Sequence, residues 1–275
     1  MKDIVANLPV GRSSDVVTDF SVSVAATFGA HLSGVAFLYD PLLPPVDMGG
    51  IPVEVIESIR AHNEQAAKAA VGRFDEAVRE AALSADVRTR AASEAGAPNV
   101  FAQIARRYDL SIVAQADPAQ PEPGDAVAVA ALFESGRPVL IVPYIRRNGL
   151  RLDRLMVCWD GSRSAARAVG DAMPFIVRAK ATEVVIVASE AAKSDEMPGA
   201  DIAHHLARHG ARVELKRIVS TQGDVASTIL SHAADSSADL LVMGGYGHSR
   251  LREFVLGGVT RGILGSMTLP TLLSH

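Results

Sequence analysis

The sequence predicts two α/β domains in tandem, each an open, five-stranded parallel sheet with flanking helices. Three observations lead to this fold class. The 275 residues exceed the usual length of a single domain, about 100 to 200 residues. Short β-branched segments alternate with longer amphipathic segments, a pattern typical of a parallel sheet covered by helices. This order of elements then occurs a second time in the second half of the chain.

The first half of the chain alternates predicted strands with predicted helices. Pro44-Pro45 and Gly49-Gly50 mark a loop after the second strand, because proline and glycine interrupt regular structure. The strand predictions rest on short apolar runs, and the helix predictions on apolar residues at helical spacing. The predicted strands are Asp3 to Leu8, Leu32 to Leu38, Val87 to Ala92, Leu110 to Gln115 and Val139 to Pro143. The predicted helices are Ser14 to Phe28, Val53 to Ala82, Asn99 to Arg107 and Ala126 to Glu134.

The same order of elements returns from Leu155 onward. Short echoes support a duplication, since Asp109-Leu110 recurs as Asp239-Leu240 in the equivalent place. The polar, glycine-containing segment 146–150 separates domains at residues 1–146 and 151–275. The predicted strands are Leu155 to Trp159, Glu183 to Ala188, Arg212 to Ile218, Leu240 to Met243 and Pro270 to Leu273. The predicted helices are Ser164 to Val177, Ala200 to His209, Val225 to Ala234 and Val259 to Met267.

The composition excludes several classes of protein. Hydrophobic residues make up 48% and charged residues 21% of the chain, a globular balance that disordered chains lack. A net charge of −4 without basic runs argues against nucleic-acid binding. No apolar stretch reaches the ~20 residues of a membrane span and no secretory leader is recognisable, so we expect a cytoplasmic protein. The single cysteine, Cys158, lies in an apolar strand and is expected to be an unreactive core residue.

The segment from Met243 to Thr260 carries the strongest functional signal. It follows the fourth strand of the second domain, where ligands collect in sheets of this type. Glycine permits positive φ and close approach of backbone amides, and Gly257-Gly258 precedes a helix whose free N–H groups favour an anion. The imidazole of His248 and the hydroxyl groups of this segment provide further hydrogen-bond donors for an anion. The segment therefore predicts a phosphate-binding loop, the alternative being that its glycines only form turns.

The spacing of these glycines resembles the signature of the universal stress protein family. Gly244, Gly247 and Gly257 match its pattern of glycine, two residues, glycine, nine residues and glycine, and Asp160-Gly161-Ser162 is similar to a second family motif. By this resemblance the whole chain is a tandem universal stress protein with a Rossmann-like, adenine nucleotide α-hydrolase-like fold. One position departs from the pattern, because Gly258 stands where serine or threonine is usual.

The resemblance implies a binding site for ATP or a related adenine nucleotide, with or without Mg²⁺. Asp160 would contact the base or the ribose, and the helix start after Gly257 would hold the phosphates. The glycine at position 258 removes a hydroxyl group that is worth ~1 kcal/mol in a typical hydrogen bond. The predicted nucleotide-binding residues are Asp160, Met243, Gly244, Gly247, His248, Gly257, Gly258, Val259 and Thr260.

The first domain lacks this pattern. Its equivalent loop, from Ala114 to Asp125, contains three prolines in place of the glycines, and Asp117 and Glu122 would repel phosphate. Pro9 occupies the place of Asp160. We therefore expect a degenerate universal stress protein domain that binds no nucleotide and pairs with the second domain as an intrachain pseudo-dimer.

Asp201, His205 and His209 form a second candidate site. They recur every fourth residue on one predicted helix, so they share a face and could ligate zinc or nickel, although solvated surface histidines are the commoner explanation. His248 could act as a general base for hydrolysis, but the sequence contains no Walker A motif and no Gly-x-Ser-x-Gly motif.

Three hypotheses about function stay open at this stage. The first is a stress-response sensor in which adenine nucleotide bound to the second domain alters a surface for an unknown protein partner. The second is a slow ATPase of the same fold, and the third is a nucleotide-free interaction scaffold. The fold alone does not decide among these hypotheses. A further homodimer of the two-domain chain is compatible with each of them.

Overall fold

The computed structural model describes residues 1–12, 15–40, 52–117, 124–145, 148–189, 199–220, 224–245 and 258–275. The chain divides into two compact units. The first unit comprises Met1–Arg137 and Arg147–Gly149, and the second comprises Pro138–Arg146 and Leu150–His275. Strands and helices alternate through both units, which confirms the predicted α/β class and the repeated order of elements. No helix within the described residues is both long enough and apolar enough to cross a membrane.

The first unit is built on a parallel sheet. Its strands are β1 (Asp3–Leu8), β2 (His31–Tyr39), β3 (Ala85–Ala92) and β4 (Leu110–Ala114). Within the described residues of this unit the strand order is β3-β2-β1-β4, and each of the three neighbouring pairs is parallel. The helices are α1 (Val16–Phe28), α2 (Val53–Glu80), α3 (Ala97–Ala105) and α4 (Gly124–Glu134).

The second unit repeats this design. Its strands are β5 (Val139–Val142), β6 (Arg154–Cys158), β7 (Ala181–Ser189), β8 (Val213–Ser220), β9 (Leu240–Gly244) and β10 (Thr271–Ser274). Within the described residues their order is β5-β10-β9-β6-β7-β8, in which β10, β9, β6, β7 and β8 run parallel. The helices are α5 (Arg163–Ile176), α6 (Ala200–Arg208), α7 (Val225–Asp235) and α8 (Gly258–Ser266).

Strand β5 differs from the prediction. The sequence predicts it as a parallel strand with no partner from the second half of the chain, whereas the structure pairs it antiparallel to β10, with Leu140 opposite Leu272. All four residues of β5 are buried. The short apolar sequence of β5 predicts a strand that is buried on both faces, but it does not specify which strand lies next to it.

The repeated Asp-Leu pair has a structural basis in both units. The Asp109 carboxylate accepts hydrogen bonds from the backbone N–H groups of Lys2 at 2.6 Å and Asp3 at 3.2 Å. The Asp239 carboxylate accepts equivalent bonds at the start of β6, at 2.9 and 3.0 Å. In each unit one aspartate therefore fixes the start of the first strand against the start of the fourth. The Lys2 N–H group is the main cause that lowers the pKa of Asp109.

Candidate functional site

The turn between β6 and α5 holds the first element of the candidate site. The Asp160 carboxylate accepts a hydrogen bond from the Ser162 N–H group at 2.9 Å, and Gly161 adopts a φ of 74°. The Ser162 side chain caps α5 by accepting a bond from the Ala165 N–H group at 3.1 Å. The turn therefore holds Asp160, which is exposed, at the carboxyl end of β6.

Gly244, at the end of β9, lies against the first turn of α5. A Cβ atom at this position would lie 2.5 Å from the Ala165 backbone nitrogen and 2.6 Å from the Ser164 carbonyl carbon. Non-bonded atoms do not approach this closely in folded proteins, so glycine is required here for helix-to-strand packing. This differs from the predicted reason for the glycine, which was close approach of a phosphate. The same contact brings the start of α5 to the end of β9.

The backbone of Gly245 is engaged by the C-terminal strand. Its N–H group donates to the Ser274 carbonyl at 2.8 Å, and its carbonyl lies 3.1 Å from Nδ1 of His275. The Gly245 amide is therefore directed to β10 and not to a bound anion, a contact that the sequence pattern did not indicate. Three predicted site residues follow in the chain, and all three lie outside the described residues: Gly247, His248 and Gly257.

The start of α8 forms the other end of the candidate site. Gly258 is its first residue and is exposed, and a Cβ atom there would meet none of the described residues within 4 Å. Val259 is half-buried. Met243 and Thr260, which we predicted to line the site, are only 6% and 4% exposed. Their side chains thus belong mainly to the core around the site.

The family assignment follows from the second unit. The model of the universal stress protein family matches residues 151–275, the segment that contains the Asp160 turn, Gly244 and the start of α8. Residues 151–275 form a universal stress protein domain. A curated relative, universal stress protein Slr1230 of Synechocystis sp., is 34% identical over 67 residues, which cover 24% of this chain and 22% of the relative. The matched part thus spans about a fifth of that relative's length.

Solved structures extend the likeness of fold to both domains. A universal stress protein from Archaeoglobus fulgidus matches 98% of this chain and 95% of its own, with a TM-score of 0.69 and 17% identity. A putative universal stress protein from Pseudomonas aeruginosa matches 99% of this chain and 92% of its own, with a TM-score of 0.62 and 16% identity. At these identities the likeness concerns the fold, and it supports a tandem arrangement of two such folds.

Cys158 ends β6, two residues before Asp160. Burial raises the pKa of its thiol to about 12, and the Asp160 carboxylate adds to the shift. The thiolate is the reactive form of cysteine, so this thiol is unreactive near neutral pH. Cys158 is half-buried, and its raised pKa agrees with the expectation that it is an unreactive residue of this strand.

The candidate metal ligands lie on α6 and at its C-terminal end. The rings of His205 and His209 meet edge to face with their centroids 4.7 Å apart. Asp201 lies in the first turn of the helix. The part of the chain that the structure describes contains no group of three His, Cys, Asp or Glu residues that could hold a metal ion, so Asp201 does not complete a site with the two histidines.

The first domain has different residues at the positions that are equivalent to the candidate site of the second domain. The pairing of β1 with β4 and of β6 with β9 makes Ala114 equivalent to Gly244, and Pro9 equivalent to Asp160. Pro9 is buried, and its carbonyl accepts a long hydrogen bond from Arg73 of α2 at 3.4 Å. A side chain from α2 therefore contacts the turn that carries an exposed carboxylate in the second domain.

Proposed function

We propose that this protein is a stress-response sensor that binds ATP or a related adenine nucleotide in its second domain. The main support is the packing of α5 on Gly244, because this contact sets the Asp160 turn beside the end of β9. A ligand there would alter the segment after Gly244, and with it a surface for a protein partner.

The sheet order supports a crevice at this position. From β6 the chain passes through α5 to β7 on one side, and from β9 it passes through α8 to β10 on the other. Ligands of open α/β sheets bind where neighbouring connections diverge in this way. Asp160 offers carboxylate oxygens at this edge, which suit the hydroxyl groups of a ribose or an exocyclic amino group.

The start of α8 suits the phosphates. The first N–H groups of a helix have no partner within the helix, and the helix dipole favours an anion there. Gly258 is exposed, and no described residue lies within 4 Å of a Cβ atom placed there. A Mg²⁺ ion would be bound mainly through phosphate oxygens and water, as Mg²⁺ commonly is in nucleotide sites.

We further propose that each chain has one nucleotide site. Pro9 provides no carboxylate at the place of Asp160, and Ala114 brings a Cβ atom to the place of Gly244. The first domain then serves as the structural partner in an intrachain pair, and the segment 118–123 with its prolines and Glu122 lies outside the described residues.

Ligand-dependent thermal stability tests the proposal. ATP–Mg²⁺ at a hundred times its Kd should stabilise the folded chain by ~2.7 kcal/mol, because it binds the folded state alone. Asp160→Ala should reduce this stabilisation, whereas Asp117→Ala in the first domain should leave it unchanged. If ATP–Mg²⁺ and Asp160→Ala both leave the melting temperature unchanged, the scaffold hypothesis replaces the sensor. Sustained ATP hydrolysis that is lost in His248→Ala would instead support the slow ATPase.

A further inference from the structure

A hydrogen-bonded chain of three side chains lies at the amino ends of β2 and β3, far along these strands from the carboxyl edge of the sheet. His31 is the first residue of β2, Ser84 directly precedes β3, and Asp86 is the second residue of β3. Nδ1 of His31 lies 2.8 Å from the Ser84 hydroxyl, and Nε2 lies 3.1 Å from the Asp86 carboxylate. The imidazole thus connects a hydroxyl group to a carboxylate.

The partners of Asp86 determine which imidazole nitrogen carries the proton. Partial burial raises the pKa of Asp86, but hydrogen bonds from Ser33, His31 and Arg88 outweigh it, and the pKa is lowered overall. The carboxylate is therefore ionised and only accepts hydrogen bonds. In neutral His31 the Nε2–H group donates to Asp86, so Nδ1 carries the lone pair and accepts the proton of the Ser84 hydroxyl.

The second domain shows that the fold does not require this chain of side chains. The strand pairs β2·β3 and β7·β8 have matching registers, with Leu32 opposite Ala85 and Thr182 opposite Val213. The second domain nevertheless has no histidine and no serine at the matching positions. The residues equivalent to His31, Ser84 and Asp86 are Ala181, Arg212 and Glu214, respectively.

The three side chains are also accessible. Ser84 is exposed, and the His31 side chain is 36% exposed. A hydroxyl bonded to a base that is itself oriented by a third group is the arrangement of an activated nucleophile. Because the hydroxyl lies at the surface of the unit, a small acyl donor can reach it from solvent.

We propose that Ser84 is a nucleophilic serine that takes the acyl group of small carboxylic esters, with His31 as general base and Asp86 as its orienting group. Oγ of Ser84 forms a bond to the ester carbonyl carbon while its proton passes to Nδ1 of His31. The ester C–O bond breaks, and the departing alcohol takes that proton. Water then attacks the acyl group on Ser84 with His31 again as base, which releases the carboxylic acid and restores the hydroxyl.

Acetylation by p-nitrophenyl acetate tests this proposal on the full-length protein. Peptide mass mapping compares the rate of acetylation at Ser84 with the rate at Ser58, an exposed serine of α2 that serves as an internal reference. General-base assistance contributes about 10²- to 10⁴-fold to such steps. We expect Ser84 to react at least ~10-fold faster than Ser58, a margin set below that range.

Variants separate an activated serine from a purely structural hydrogen bond. Each acetylation by p-nitrophenyl acetate releases p-nitrophenol. The fast phase of this release should be absent from Ser84→Ala and retained in Ser58→Ala. His31→Gln and Asp86→Asn should each slow acetylation of Ser84 at least ~10-fold in proteins that melt cooperatively. Equal rates at Ser84 and Ser58 in the wild-type protein would overturn the proposal without any variant, and so would an unchanged rate at Ser84 in a folded His31→Gln protein.

Discussion

Replacing Gly258 with serine should strengthen nucleotide binding. No described residue lies within 4 Å of a Cβ atom placed at Gly258, and Gly258 has helical backbone, which serine can adopt. Its hydroxyl would add a hydrogen bond at the start of α8. Hydrogen bonds to charged groups contribute about 1.5–3 kcal/mol, and each 1.4 kcal/mol changes affinity about tenfold. The expected gain in ATP affinity is therefore about ten- to a hundredfold.

Gly258→Ala is the matched control, because it adds the same Cβ atom without the hydroxyl. Isothermal titration calorimetry of the nucleotide-free proteins with ATP–Mg²⁺ measures the affinities of the wild type, Gly258→Ser and Gly258→Ala. Titration with adenosine separates phosphate contacts from base contacts. We expect tighter ATP binding in Gly258→Ser alone, and no gain for adenosine. Equal affinities in the serine and alanine variants, or an equal gain for adenosine, would refute the location of the phosphates at the start of α8.

Three further predictions concern packing, reactivity and pH. Gly244→Ala should lower the free energy of unfolding by about 1–3 kcal/mol in urea denaturation, because the new Cβ overlaps α5. Gly170→Ala, whose new Cβ meets none of the described residues within 4 Å, should not be destabilising. Equal effects of the two substitutions would contradict the packing role of Gly244. Cys158 should react slowly with a thiol reagent at pH 8 until the protein unfolds, since its pKa is raised to about 12. Rapid reaction in the native protein would contradict this raised pKa. The pKa of Asp109 is lowered in the folded protein. The ionised Asp109 carboxylate therefore stabilises the fold above the unfolded pKa of about 3.9, and this contribution is lost as pH falls through the folded pKa. Asp109→Asn should therefore destabilise the protein at pH 7 and match the wild type in strongly acidic solution, and a constant difference across pH would exclude this contribution.

Local sequence patterns predicted most elements because each needs only its own periodicity. Strand β1 has the predicted bounds, Asp3–Leu8, and the strand predicted from Leu110 to Gln115 ends one residue earlier, at Ala114. Strand β5 marks the limit of this reasoning. Its burial was predictable from Val139 to Val142, but its antiparallel pairing with β10 depends on a strand that lies more than a hundred residues later in the chain.

The arrangement of the candidate site residues was only partly predictable from the sequence. Family spacing indicated Asp160, Gly244 and the start of α8, and the structure places these at the ends of adjacent elements of one domain. The contact between Gly244 and Ala165 depends on the approach of α5, which no local pattern encodes. The capping role of Ser162 was detectable, because serine directly before a helix is a common N-cap.

The most direct test of the central claim is to determine whether the purified protein carries an adenine nucleotide. The chain is purified without added nucleotide and denatured, and the released small molecules are identified and quantified by mass spectrometry. We predict an adenine nucleotide at no more than one molecule per chain, reduced in Asp160→Ala and retained in Asp117→Ala. Absence of any adenine nucleotide from the wild-type protein, together with no binding of added ATP–Mg²⁺, would contradict the account.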